Sequence, residues 1–157
     1  MDDNEYMRRV RAMERRLYRI AQAILWREAD CLDAVQEAVF RGWMKKGTLR
    51  ETGQLELWLT RILVNQCRDM LRRRRREPLG LDVDVPASDC LCEDLHLRQA
   101  LQGLPEKYRL LLVLHHLEGY SVEEVSGMLG LPRKLVVSRL HQARRALRSG
   151  LDGGDRP

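Results

Sequence analysis

The sequence predicts an all-α fold of two small helical domains joined by an acidic linker, with a helix-turn-helix in the second domain. Apolar residues recur at intervals of three and four over most of the chain, which is the period of a helix with one buried face. One stretch breaks that period, contains two prolines and carries only negative charge. A chain of 157 residues accommodates two small domains. We therefore expect domains at residues 1–76 and 95–157 and a linker at 77–94.

The distribution of charge follows the same division. Residues 1–76 contain 18 Lys or Arg and 11 Asp or Glu, and residues 95–157 contain 10 and 6. Residues 77–94 contain 6 Asp or Glu and no basic residue. Two basic blocks favour a partner with a phosphate backbone, although solvated charge on an ordinary protein surface produces the same counts.

The first predicted helix runs from about Glu5 to Leu25 and has an apolar stripe opposite a face rich in arginine. The stripe comprises Val10, Met13, Leu17, Ile20 and Ile24, and the arginines are Arg8, Arg11, Arg15 and Arg19. Its two faces predict a helix that packs on one side and meets water on the other.

Two more helices are predicted in the first block. One begins near Asp30, ends near Lys45 to Gly47, and has its apolar stripe at Leu32, Val35, Val39 and Trp43. The other runs from about Leu55 to Arg75 and ends in consecutive arginines. Its predicted inner face comprises Leu55, Leu59, Ile62, Gln66 and Met70, with Trp58 and Leu63 beside it.

The linker begins at Glu77-Pro78, because a proline disfavours helical backbone at the residue before it. The alternation Leu81-Asp82-Val83-Asp84-Val85 is compatible with a short strand, but no partner strand is evident. Cys90 and Cys92, with His96, lack the second ligand pair that a structural zinc site takes. We predict an exposed thiol pair and no metal, and the sequence leaves open whether these thiols sense oxidants. The other two cysteines, Cys31 and Cys67, fit helical core positions.

The second block predicts a helix-turn-helix. Ser121 and Glu124 have capping-box spacing, Gly130-Leu131-Pro132 forms a tight turn, and a basic helix follows from Arg133 to about Leu151. The inner face of that last helix is predicted at Val136, Leu140, Ala143 and Leu147. The opposite face carries Lys134, Ser138, His141, Gln142 and Arg145. Hydrogen-bonding and cationic side chains there suit a DNA major groove, whereas a solvated surface helix is the plain alternative.

No catalytic motif is evident. The four histidines lack metal-ligand spacing, and the chain has neither a glycine-rich phosphate loop nor a nucleophile elbow. We therefore predict a protein that is not an enzyme and has no cofactor. The acidic N-terminus does not resemble a secretory signal, and no window is apolar enough for membrane insertion, so we expect a cytoplasmic protein.

Two surfaces of the first block are candidate binding sites. Asp33, Gln36 and Glu37 share one side of the second helix, which suits either protein docking or solvation. The third helix carries a tryptophan, an asparagine and arginines near one side, namely Trp58, Arg61, Asn65, Arg68 and Arg72. Aromatic stacking combined with backbone charge is typical of single-stranded DNA binding. A basic helix end stabilised by its dipole is the alternative, although five consecutive arginines exceed that need.

These motifs, in this order, resemble the extracytoplasmic-function group of bacterial sigma factors over roughly residues 10–150. Asp30-Cys31-Leu32-Asp33-Ala34-Val35-Gln36-Glu37, with Phe40 and Trp43, resembles the family's second conserved region. Trp58 to Asn65, Asp69 and the arginine run resemble its minus-ten segment. Leu101, Leu104-Pro105, Tyr108-Arg109, Glu118 to Ser121, Glu124-Val125, Ser138 to Leu140 and Ala143-Arg144 resemble the minus-thirty-five domain.

The resemblance implies a role for each set. Asp33, Gln36 and Glu37 would dock on the clamp coiled coil of the largest subunit of core RNA polymerase. Trp58, Arg61, Asn65, Arg68 and Arg72 would open and read the minus-ten promoter element. The minus-thirty-five contacts would come from Arg133, Lys134, Ser138, Arg139, His141, Gln142 and Arg145. An anti-sigma factor is a further partner that the sequence leaves open.

The chain departs from the family pattern in two of its motifs. Leu135 and Val137 stand where the family usually has threonine and lysine near DNA, which predicts altered promoter preference and more reliance on Lys134, His141 and Gln142. Cys31 and Leu32 replace a small and an acidic residue of the docking motif. Two other functions remain open: a stand-alone helix-turn-helix regulator, usually dimeric, and a sigma-like protein that only sequesters partners.

Overall fold

The computed structural model describes residues 1–76 and 95–154, and the chain divides into two compact units, Met1–Ala87 and Ser88–Pro157. The first unit contains α1 (Asp3–Ile24), α2 (Glu28–Lys45) and α3 (Leu55–Arg76). The second contains α4 (Leu95–Gln102), α5 (Glu106–Leu112), α6 (Val122–Leu129) and α7 (Arg133–Gly154). Helices and short turns account for both described ranges without a β-strand, so the predicted all-α class is confirmed.

Some predictions concern residues outside the described ranges. These are the 77–94 linker, the alternation at Leu81 to Val85, and the thiols of Cys90 and Cys92. None of the helices in residues 1–76 and 95–154 is both long enough and apolar enough to cross a membrane.

In the first unit, α1, α2 and α3 pack against one another in pairs. The predicted stripe of α1 is confirmed, because Val10, Leu17 and Ile20 are buried. The helix begins before Glu5, since the Asp2 carboxylate accepts a hydrogen bond from the Glu5 N–H at 2.7 Å and caps the N-terminus. Tyr6 extends the stripe by one turn, and its hydroxyl donates to the Val39 carbonyl at 2.6 Å.

The predicted inner face of α2 is wrong. The buried residues are small ones, Cys31, Ala34, Ala38 and Gly42. Leu32 is 48% exposed and Trp43 is 40% exposed, while Val35 and Val39 are only partly buried. The reason is close packing: a Cβ on Gly42 would lie 2.9 Å from Leu59 Cδ1 and closer still to the Tyr6 hydroxyl. Small side chains let α2 approach its neighbours, and the larger apolar ones are left outside.

The predicted inner face of α3 is partly wrong. Leu55, Leu59 and Gln66 are buried as expected, but Ile62 and Met70 are half-buried. Leu63 and Cys67 lie in the core instead, with Thr60 and Val64. The helix contacts both α1 and α2, so its buried side is broad and centres on the i, i+4 row from Leu55 to Cys67.

Cys31 and Cys67 are both buried, as predicted for core residues. The Cys31 thiol donates to the Leu25 carbonyl at 3.4 Å. Burial, with the nearby Asp30 and Glu28 carboxylates, raises the pKa of Cys31 to about 12. A thiol with so little thiolate is a packing group and not a nucleophile.

The second unit is built around α7, which contacts α4, α5 and α6. The capping box is confirmed: the Ser121 hydroxyl accepts from the Glu124 N–H at 3.1 Å, and the Glu124 carboxylate accepts from the Ser121 N–H at 2.9 Å. Gly130 ends α6 with a φ of 65°, a left-handed conformation that costs glycine little. The inner face of α7 is confirmed at Val136, Leu140 and Ala143, and Leu147 is half-buried.

A π-helical turn follows α5 directly. α5 ends at Leu112, and Val113–Leu117 forms a π-helical turn that leads to Gly119, whose φ is 79°. The start of α5 is held by the buried side chain of Arg109, which donates from Nη1 to the Leu104 carbonyl at 2.9 Å. Burial lowers the pKa of Arg109, with an opposing contribution from Glu106.

Candidate docking and nucleic-acid surfaces

The three predicted docking residues of α2 lie on its outward side. Asp33 and Gln36 are exposed and Glu37 is partly exposed. The Glu37 carboxylate accepts from Arg41 Nε at 3.0 Å, one helical turn along. Such exposed i, i+4 pairs contribute little to stability. The pair nevertheless offsets one negative charge, so Asp33 carries most of the acidity of this surface.

Apolar side chains extend this surface, and the sequence reasoning missed them. Phe40 is 54% exposed and Met44 is 65% exposed. At about 100° per residue, both project within about 40° of Asp33 around the helix. The Phe40 and Trp43 rings stack with centroids 6.3 Å apart. We call Asp33, Gln36, Glu37, Phe40, Trp43 and Met44 the α2 surface.

The N-terminus of α1 holds one edge of the α2 surface. The Asp3 carboxylate accepts from Trp43 Nε1 at 3.0 Å and pairs with Lys46 Nζ at 2.9 Å. Lys46 Nζ also lies 5.5 Å from the centre of the Trp43 ring. The bonds from Lys46 and Trp43 lower the pKa of Asp3. The indole is therefore oriented although it is exposed. The sequence signal that could have revealed this exposed stripe is the spacing of small residues by three, four and four at positions 31, 34, 38 and 42.

The five predicted minus-ten residues do share one side of α3. Arg61, Asn65 and Arg72 are exposed, and Trp58 and Arg68 are partly exposed. At about 100° per residue they fall within an arc of about 80°. Arg72 Nη2 pairs with the Asp69 carboxylate at 2.7 Å, which reduces its charge at this surface. We call these five residues the α3 surface.

One arginine of the run that ends α3 has a structural partner. Arg74 forms an ion pair with the largely buried carboxylate of Asp30 at the start of α2. This pair links the C-terminal end of α3 to the first turn of α2. Part of the run therefore serves the fold, a use that the sequence alone did not reveal.

The predicted outward face of α7 is exposed at Lys134, Ser138, His141, Gln142 and Arg145. Four of the five project within about 60° of one another, and Gln142 lies at the edge nearest α5. Arg133 pairs with the Glu123 carboxylate at 2.8 Å on the flank. Arg139 is partly buried and points well away from this face. Val137 is 43% exposed, so an apolar side chain meets solvent beside the polar face.

Two side chains of α7 are held from outside the helix. The Tyr108 hydroxyl on α5 donates to Gln142 Oε1 at 3.0 Å. Arg144 Nε donates to His116 Nε2 at 2.9 Å. The imidazole of His116 must be neutral to accept this bond. Burial, then the charges of Arg144 and His115, lowers the pKa of His116. We call Lys134, Ser138, His141, Gln142 and Arg145 the α7 surface.

No part of residues 1–76 and 95–154 brings together three or more His, Cys, Asp or Glu side chains in a way that suits a metal ion. The exposed groups of the three surfaces are hydrogen-bonding, charged and apolar. They are suited to binding macromolecules.

The two units match two family models. "Sigma-70 region 2" matches residues 9–77, and "Sigma-70, region 4" matches residues 95–147. The ECF RNA polymerase sigma factor SigE of Mycolicibacterium smegmatis is 36% identical over 154 residues, covering 90% of this chain and 60% of that protein. SigM of Mycobacterium tuberculosis is 33% identical over 141 residues, covering 87% of this chain and 72% of that protein.

Solved structures agree in fold. The sigma factor RpoE in complex with the anti-sigma factor NepR from Bartonella quintana aligns with a TM-score of 0.80 at 23% identity, covering 97% of this chain and 99% of that one. CnrH in complex with the cytosolic domain of CnrY aligns with a TM-score of 0.72 at 25% identity, covering 97% of this chain and 90% of that one.

The matches define a protein with the second and fourth conserved regions of the sigma-70 type. The chain belongs to the extracytoplasmic-function group of RNA polymerase sigma factors. The resemblance drawn from the motifs and the predicted class of function are thereby confirmed.

Proposed function

We propose that this chain binds core RNA polymerase through the α2 surface, contacts opened minus-ten DNA through the α3 surface, and reads minus-thirty-five duplex through the α7 surface. The observation that carries the proposal is the α7 surface, where polar and cationic side chains are exposed opposite an apolar stripe that is buried at Val136, Leu140 and Ala143. From Lys134 to Arg145 the helix rises about 16 Å. That length suits the base edges of a B-DNA major groove, which admits one helix.

The α3 surface supports contact with separated strands. Trp58 supplies a ring for base stacking, Arg61 supplies charge for the backbone, and Asn65 supplies both a donor and an acceptor. These groups lie on one side of one helix, so they follow a single strand without rearrangement.

The α2 surface supports docking on a protein. It combines an exposed carboxylate with a stacked aromatic pair and a methionine, and apolar patches of this kind mark protein interfaces. We propose that the chain meets core polymerase in the cytoplasm. An anti-sigma factor is a proposed further partner, because the two solved structures named above are complexes with a second protein. We assign no catalytic role to any residue of the chain.

Run-off transcription with core polymerase, with and without this chain, tests the proposal. Promoter-specific transcript that requires the chain is the expected result. Polymerase binding without transcript would instead support a sequestering protein. Duplex binding without polymerase binding would support a stand-alone regulator.

Removing the charged part of the α2 surface tests the docking assignment. We expect Asp33→Ala with Glu37→Ala to weaken polymerase binding by about tenfold, because both carboxylates leave an interface while the fold is untouched. A pull-down with core enzyme measures it. Arg50→Ala, an exposed change outside the three helices, serves as the control. Equal polymerase affinity of the double variant and the control would mean that Asp33 and Glu37 are not part of the interface.

A further inference from the structure

The bond between Tyr108 and Gln142 joins two helices across 34 residues of sequence. Tyr108 is partly buried on α5, and Gln142 is exposed at the edge of the α7 surface. α5 and α7 pack directly against each other. An exposed glutamine on a helix ordinarily samples many rotamers, whereas this one has its oxygen held by a neighbouring element.

The donor itself is well fixed. The Tyr108 N–H bonds to the Pro105 carbonyl at 3.0 Å in the first turn of α5. The next residue, Arg109, is buried and bonded to Leu104. Lys107 Nζ lies 5.0 Å from the centre of the Tyr108 ring, and such a cation restrains the ring. The backbone that carries the Tyr108 ring is therefore held in place, and its hydroxyl bonds to Gln142 from there.

A side-chain amide has an accepting end and a donating end, and rotation by a half-turn exchanges them. Because Oε1 of Gln142 faces Tyr108 on α5, the Nε2 end with its two N–H donors faces away from α5. In the major groove guanine presents two acceptors, O6 and N7, whereas cytosine presents the N4 donor. A glutamine held with its donors outward can bond to guanine, whereas its donors would face the N4 donor of cytosine.

We propose that Tyr108 is a positioning residue for promoter recognition: it fixes the Gln142 amide with its donors toward DNA, so that this position selects guanine against cytosine. The inference rests on the proposed reading of duplex DNA by the α7 surface and names how one of its contacts obtains specificity. Tyr108 itself does not touch a base in this proposal.

Base preference at one promoter position tests it. Core polymerase loaded with the chain is used to select from a promoter-fragment library randomised over the upstream element. Gln142→Ala first identifies the base pair that Gln142 reads. At that pair we expect the unmodified chain to prefer guanine over cytosine by about tenfold, within the range of one good base contact. Tyr108→Phe should reduce the preference to about twofold or less, since the freed amide can present either end.

Two matched variants separate this effect from a general one. Tyr108→Phe in a Gln142→Ala background should change no base preference. Arg148→Gln, which removes an exposed cation of α7 outside the α7 surface, should lower affinity for all sequences alike and leave the base preference unchanged. Thermal unfolding of Tyr108→Phe checks that the second unit still folds, and selection is then read at a temperature where both proteins are folded.

The outcomes are distinct. An unchanged guanine preference in folded Tyr108→Phe overturns the inference, as does a preference for cytosine in the unmodified chain. If the loaded polymerase selects no upstream sequence at all, the proposed function of the α7 surface fails instead. The inference is supported if folded Tyr108→Phe loses the guanine preference at the Gln142 position and keeps its preferences at the other positions.

Discussion

The α2 and α7 surfaces use opposite arrangements of side chains. On α7 the large apolar residues face inward and polar residues face outward. On α2 the small residues face inward, and Phe40, Trp43 and Met44 face outward. Two polar side chains of α7 are also held from outside the helix, Gln142 by Tyr108 and Arg144 by His116. The difference suits their proposed partners: an apolar surface buries area against a protein, whereas fixed polar groups discriminate among bases.

The largest effect is expected from truncating the apolar part of the α2 surface. Phe40→Ala with Met44→Ala should weaken binding to core polymerase by about 30-fold, because exposed aromatic anchors contribute most to interface energies. Both side chains are mainly exposed, so the stability of the first unit should change by less than about 0.5 kcal/mol. Affinity is measured by titration with core enzyme.

A matched control is Met7→Ala, an exposed apolar side chain on α1. It should leave polymerase affinity unchanged. If Phe40→Ala with Met44→Ala behaves like Met7→Ala, the apolar half of the α2 surface has no part in docking. The contrast between the two helices would then concern packing alone.

A second prediction concerns the inward side of α2. Gly42→Ala should destabilise the first unit by about 1–3 kcal/mol, because the new Cβ overlaps Leu59 and Tyr6. The three tryptophans, Trp26, Trp43 and Trp58, all lie in the first unit, so their fluorescence during urea unfolding reports this change.

Gly127 in α6 is the matched helical glycine, since a Cβ there would meet nothing within 4 Å. Gly127→Ala should stabilise the second unit by about 0.5–1 kcal/mol through helix propensity. It should leave the tryptophan transition unchanged and raise the midpoint seen by circular dichroism. A stabilising Gly42→Ala would mean that α2 does not need small residues to pack.

The contrast also explains which parts of the molecule were predictable. Periodicity located α1 and α7, and Ser121 with Glu124 located the start of α6, because those signals are local. Periodicity failed on α2, because it identifies apolar residues and does not distinguish a buried apolar face from an exposed one. The same limit affected Ile62 and Met70 on α3.

The rest depends on contacts between residues far apart in sequence. The pairs Tyr108–Gln142 and Arg74–Asp30 form only once the helices pack. The π-helical turn at Val113–Leu117 has no local sequence signal that we recognise. The sequence predicted the residues of the outward polar face of α7. It did not predict which of these side chains are held by contacts from other helices.

The smallest effect is expected at His116, whose neutral imidazole accepts from Arg144 Nε. Its pKa in the folded state is lowered by burial and by the nearby cations, below the usual value of about 6.5. The unfolded chain therefore takes up the proton first as the pH falls. The stability that His116 contributes is full above about pH 6.5 and decreases as the pH falls from there through the folded-state pKa. The decrease should be small, because His116 is mostly open to solvent.

Hydrogen exchange of the α7 amides at pH 7.5 and 5.5, corrected for intrinsic exchange rates, measures this decrease. His116→Gln retains an acceptor for Arg144 but does not titrate, so it should lose less protection than the unmodified chain over the same interval. Equal losses in the two proteins would mean that the Arg144–His116 bond does not stabilise α7. Of the two bonds that reach α7 side chains from α5 and the π-helical turn, only Tyr108–Gln142 would then hold a polar group in place.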